Sequence, residues 1–125
     1  MRTNLAAVAL AAAFLAGCSS GPKAAPVEPG KARAALVTAL DAWKAGKSID
    51  ELKAATPPIV AQDFDWMAGA KLTDYAVVGD GEAQDANLRV QVKLTLRTAQ
   101  GATATKTVHY VVGTDKTLTV FRAME

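Results

Sequence analysis

Between Leu88 and Arg97 the chain alternates strictly. Leu88, Val90, Val92, Leu94 and Leu96 are interleaved with Arg89, Gln91, Lys93, Thr95 and Arg97. A repeat of two is the geometry of an extended strand, whose successive side chains point to opposite faces. On a helix the same five apolar residues would be spread around the circumference. A strand of this kind has one dry face and one wet face, so its sheet is covered on one side only. The rest of the chain must supply strand neighbours and an apolar cover.

Both are present. Gln100-Gly101 is a turn, and Thr103 to Val112, rich in Thr and Val, reads as the next strand. Gly113 to Lys116 turns again, and Thr117 to Arg122 is the last strand. Lys71 to Val78 is an earlier strand, joined to the long one by the polar loop Gly79 to Ala86. The cover is a helix over Gly30 to Ala45. There Ala32, Ala35, Leu36, Ala39, Leu40 and Trp43 recur at three- and four-residue spacing and form one apolar stripe. Pro29 suits its start, Gly46 its end, and Lys44 favours the helix dipole. Ser48 followed by Glu51 three residues on is a capping box for a short second helix to about Ala55, stopped by Thr56-Pro57-Pro58. The expected fold is α+β: two N-terminal helices packed on a four-stranded antiparallel meander sheet, spanning residues 30–125.

The first 29 residues are of another kind. Arg2 is the only charge before Lys23, and Leu5 to Ala16 is an unbroken run of Ala, Leu, Val and Phe. That run is shorter than the roughly 20 apolar residues a membrane span requires. It has the length and flanks of a secretory signal peptide. Leu15-Ala16-Gly17-Cys18 resembles the lipobox of bacterial lipoproteins. The resemblance implies a thioether-linked diacylglycerol on Cys18, cleavage between Gly17 and Cys18, and acylation of the new amine. Several acyl chains hold a protein firmly at a membrane, where a single chain attaches only reversibly. Ser19 stands where an Asp is associated with inner-membrane retention in that family, which implies the periplasmic face of the outer membrane. Residues 18–29, with three of the five prolines, read as the lipidated Cys and a flexible linker.

Composition narrows the function. Cys18 is the only cysteine, so its lipidation would leave no thiol for a disulfide, a zinc site or covalent catalysis. A net charge of +2 carries no signature of a nucleic-acid partner. No cofactor motif is present. The expected partners are the membrane through the lipid anchor, and an envelope protein, cell-wall polymer or small molecule through the domain.

The helix-helix-sheet order also resembles the nuclear transport factor 2-like and cystatin-like folds of small exported bacterial proteins. Asp63-Phe64-Asp65-Trp66, Gly69, Lys71-Leu72, Tyr75, Tyr110 to Thr114 and Val120-Phe121-Arg122 carry that resemblance. It implies a fold and no particular activity. In such folds a pocket lies between helices and sheet. Asp63 and Asp65 would stand at its mouth, Trp43 and Trp66 would line it, and Tyr75 would face it. A partly desolvated carboxylate there is a candidate general base. The plainer alternative makes Phe64 and Trp66 core anchors, with the Asp residues outward or capping a turn.

Other candidates read as surface. His109 shares a strand face with Thr105, Thr107 and Val111, a solvated face with no identifiable triad partner. Asp80 to Asn87 lacks the spacing of a calcium loop. Arg89, Lys93 and Arg97 form a basic strip on the wet face of the long strand, open to anionic head groups or wall polymer. Taken together, the expectation is a non-catalytic binding or interaction module on a lipid anchor. The alternative is a small-molecule-binding or isomerase-like protein using the pocket.

Overall fold

In the computed structural model, which describes residues 24–125, the alternating segment is strand β3, Asn87–Arg97. Its partners are β2, Lys71–Gln84, and β4, Thr103–Gly113, both antiparallel. β4 continues antiparallel to β5, Leu118–Arg122. The sheet does not stop there. A further strand β1, Ile59–Gln62, pairs parallel to β5, and the order is β1-β5-β4-β3-β2. The expected four-stranded antiparallel meander is therefore corrected to a mixed five-stranded sheet within an α+β fold. At four residues, IVAQ is too short for a period to declare itself. Its partner lies at the far end of the chain, where no local signal reaches.

Helix α1, Pro29–Lys44, lies over the dry face and buries Ala32, Ala35, Leu36, Ala39, Leu40, Ala42 and Trp43. Leu36 and Leu40 are fully buried, and burial of such a side chain contributes about 1.5–3 kcal/mol. The helix ends in a Schellman motif. Gly46 donates to the Trp43 carbonyl and Lys47 to that of Ala42, both at 2.9 Å. Gly46 takes φ +85°, which a residue with a Cβ adopts only under strain. Helix α2, Ile49–Lys53, starts on the complete capping box: Ser48 Oγ accepts from the Glu51 amide, and Glu51 accepts from the Ser48 amide. A third helical turn, α3, Phe64–Met67, was not expected.

Two boundaries shift. The segment Gly79 to Ala86, read as a loop, is mostly strand. Pairing breaks between Val78 and Glu82 and resumes with Glu82 opposite Arg89. Gly79 and Gly81, both at positive φ, form the bulge. Arg33 on α1 donates to the Gly79 carbonyl at 2.8 Å. At the other end, the last part of the expected linker is held to the domain. Val27 is buried and donates from its amide to the Asp85 carbonyl, and Glu28 donates to Thr114 Oγ1. Among the described residues no helix is long and apolar enough to cross a membrane.

The dry face is set by register. Leu88, Val90, Val92 and Leu94 of β3 stand opposite Val112, Tyr110, Val108 and Lys106 of β4. Arg122 of β5 stands beside Tyr110. In the parallel pair, Ile59 is level with Leu118 and Ala61 with Val120. Asp63, the residue after β1, meets Arg122 of β5 through its side chain.

Candidate functional site

Asp63 directly follows β1 and caps α3. Its Oδ1 accepts from the amides of Asp65 at 2.8 Å and Trp66 at 3.1 Å. A carboxylate is well suited to this place, because it satisfies two of the donors a helix start leaves free. The same side chain, 3% exposed, accepts from Arg122 Nη1 at 3.1 Å to each oxygen and from the Tyr110 hydroxyl. Arg122 also donates to Asp65 Oδ2 at 2.8 Å, and Lys106 Nζ reaches that oxygen at 3.1 Å. Phe64 closes the outer side, with the guanidinium carbon 4.2 Å from its ring centroid.

The cluster is balanced, two carboxylates against two cations. Among the described residues no buried side-chain polar atom lacks a partner. Burial pushes the Asp65 carboxyl up, but the hydrogen bonds and charges of Arg122 and Lys106 outweigh it and hold the group below its ordinary value. Burial and the Asp63 charge push the Tyr110 phenol well above its ordinary value, so it remains a donor. Burial lowers the Arg122 guanidinium, and its pairing with Asp65 and Asp63 more than reverses this. A general base needs a lone pair aimed at a substrate. The Asp63 oxygens are aimed instead at backbone amides, a guanidinium and a phenol, and those contacts cross-link β1, α3, β4 and β5.

Beside this cluster the surface opens. Trp43, from the last turn of α1, and Trp66 of α3 stack with ring centroids 5.2 Å apart and planes within 4°. Both indole N–H groups are tied to backbone: Trp43 Nε1 to the Ala70 carbonyl at 2.9 Å, and Trp66 Nε1 to that of Lys47 at 3.1 Å. Trp43 is buried, whereas Trp66 is half-buried and lines a groove of about 590 Å³. The other walls are Ser48, Ile49, Asp50 and Lys53 from α2, Ala61 and Gln62 from β1, and Met67. Met67 is 69% exposed.

The residues singled out from the sequence thus fall into three places. Trp43 and Trp66 come together, one behind the other. Asp63 and Asp65 are joined by Arg122, and neither is among the residues lining the groove. Tyr75, on β2, donates to Asp41 of α1 at 2.7 Å. Burial and that hydrogen bond raise its phenol to about 12. Phe64, read as a core anchor in the plainer alternative, is 49% exposed and serves as a lid on Arg122. Gly17 and Cys18 lie outside the described residues.

Tyr110, Arg122 and Lys106 were missed as members of the cluster, although a signal existed. Arg122 follows Leu118 and Val120 at period two, and Lys106 precedes Val108 and Tyr110 in the same way. A cation in phase with buried residues requires a buried partner. His109, expected without a triad partner, has its Nδ1 3.0 Å from both Glu125 carboxylate oxygens, and its amide donates to Glu125 Oε2 at 3.1 Å. Those contacts with His109 hold the Glu125 carboxyl below its ordinary value. Arg89 of the basic strip also reaches Glu125, at 3.4 Å. Among the described residues no group of three or more metal-ligating side chains is placed to hold an ion. No family model, curated protein or solved structure matches the chain.

Proposed function

We propose that the chain is an exported, lipid-anchored protein whose domain is a non-catalytic binding module, with the Trp66 groove as its binding surface. The observation that carries the binding reading is a contrast in occupancy. Both oxygens of Asp63 are held, by Arg122, Tyr110 and backbone amides, and Asp65 Oδ2 is held by Arg122 and Lys106. The groove beside them presents an indole held rigid from behind and a rim of exposed polar side chains. Concave, mostly apolar surfaces with a few fixed polar groups are where small ligands and segments bind.

The anchor rests on Leu15-Ala16-Gly17-Cys18 behind its apolar run, and Ser19 after the Cys supports the outer membrane. The packing of α1 on one face of the sheet, with β2 to β5 running as an antiparallel meander, supports the likeness to nuclear transport factor 2-like or cystatin-like folds.

Two measurements test the reading. Mass spectrometry of the native N-terminal peptide is expected to show diacylglyceryl and acyl groups on Cys18; an unmodified thiol removes the anchor. A photoreactive side chain at Met67 is expected to cross-link the full-length protein to the isolated cell envelope. Trp66→Ala should abolish the cross-link, and Asp65→Asn should leave it. Substrate turnover that is lost on Asp65→Asn would replace a binding module with an enzyme.

A further inference from the structure

We propose that the occupant of the Trp66 groove is an uncharged saccharide, of the hexopyranoside or N-acetylhexosamine class. The inference rests on the binding reading and names the chemistry of its ligand.

The first observation is the aromatic plane. Trp43 covers one face of Trp66, and backbone carbonyls hold both indole N–H groups. What Trp66 offers the groove is therefore its other face and rim, fixed in orientation before any ligand arrives. A pyranose ring has a face of C–H bonds that lies flat on such a surface, and its hydroxyls project around the edge. Aromatic side chains give large contact area at little conformational cost.

The second observation is the rim. Ser48, Asp50, Lys53 and Gln62 are all exposed and line the groove. Between them they provide a hydroxyl, a carboxylate, an ammonium and an amide, which is a mixed set of donors and acceptors. Sugar hydroxyls require that mixture, because each one both donates and accepts. Ile49, Ala61 and Met67 supply the apolar remainder.

The third observation is charge. The Lys53 ammonium lies 3.6 Å from the Asp50 carboxylate, so the rim is neutral. A phosphate or a carboxylated sugar would need an uncompensated cation, and the lining offers none. A peptide adding to the sheet edge would draw its affinity from a run of main-chain hydrogen bonds. Only Ala61 and Gln62 of β1 line the groove, too short a stretch for that mode. The cavity of about 590 Å³ lies within the range of small-molecule sites, about 300–1,000 Å³.

The test uses the full-length protein in detergent micelles. The probes are β-1,4-linked N-acetylglucosamine tetramer, cellotetraose, an oligogalacturonate and an unstructured peptide, read by indole fluorescence and calorimetry. Saturable binding of at least one neutral saccharide is expected, with no binding of the oligogalacturonate or the peptide. Gln62→Ala removes rim hydrogen bonds and is expected to weaken binding about fivefold, the value of one net hydrogen bond. Met67→Ala is expected to weaken it as well, and Trp66→Ala to abolish it. Gln62 and Met67 are exposed, so their variants keep the fold, which circular dichroism verifies. Absence of saturable binding by both neutral probes overturns the inference. So does tighter binding of the anionic sugar or the peptide, or binding indifferent to both Gln62→Ala and Met67→Ala. If the Met67 cross-link to the envelope persists while both neutral sugars fail, the saccharide inference falls and the binding reading stands. If the cross-link is also absent, both fall.

Discussion

The two ends of the sheet hold together by different means. Under α1, the dry face of β3 is hydrocarbon throughout: Leu88, Val90, Val92, Leu94 and Leu96, all buried. At the β1–β5 end the apolar rows Ile59, Ala61 and Leu118, Val120 run into Asp63 and Arg122, which are equally buried. Apolar cohesion is non-directional and tolerates exchange of one hydrocarbon for another. A buried ion pair loses most of its Coulomb attraction to desolvation, so its net stabilisation is small, but either partner alone is very unfavourable. The pair therefore specifies position more than it adds stability. Because Asp63 also caps α3, the contact with β5 sets where Trp66 stands. The apolar end makes the domain stable, and the polar end aims its indole.

The largest effect expected from that contrast is at Asp63. Asp63→Ala leaves Arg122 buried without its counter-charge and removes the α3 cap, and is expected to destabilise by about 3–5 kcal/mol in urea unfolding. Leu94→Ala at the apolar end should cost about 2–5 kcal/mol. The two differ in rescue. The triple variant Asp63→Leu, Tyr110→Phe and Arg122→Met, which leaves no buried polar group of the cluster's centre unpaired, should recover to within about 2 kcal/mol of the natural protein. No second truncation should rescue Leu94→Ala. If Asp63→Ala were as mild as an exposed substitution, the polar end would not be the specifying one.

A smaller effect is expected at Tyr75, which links β2 to α1. Tyr75→Phe removes one hydrogen bond and should cost about 0.5–1.5 kcal/mol at neutral pH. The folded-state phenol is raised to about 12 from 10.0. Its contribution is therefore fully present below pH 10 and disappears as the pH rises through about 12. The gap between Tyr75→Phe and the natural protein should close over that window in alkaline unfolding.

The smallest effect concerns acid. The folded-state Asp65 carboxyl lies below its ordinary 3.8. Its contribution is present above that value and is lost as the pH falls through the lower folded-state value. Asp65→Asn should flatten the decline of stability in this acid window, whereas Leu94→Ala should shift the curve down in parallel. A parallel shift for both would mean that Asp65 is not paired in solution.

Most of the apolar end was legible in the chain. The alternation from Leu88 to Arg97, the stripe on α1, the capping box at Ser48 and the glycine at 46 are local patterns, and each produced its element. The polar end was not. β1 and α3 have four residues each, shorter than the windows in which a period is visible. The Gly79 to Ala86 segment reads as a loop on composition and is strand because two glycines absorb a bulge.

Of the candidate site, the sequence alone singled out Trp43, Asp63, Asp65, Trp66 and Tyr75 as unusual. It also determined which face of β3 and of β4 is dry, because side-chain alternation is a property of the backbone. The tertiary structure decided the grouping. It stacked the two indoles, closed Asp63 onto Arg122 and Tyr110, and left a groove between α2, β1 and α3. Those contacts join residues separated by up to 59 positions, and a desolvated charge finds its partner only when the sheet has brought the two into register.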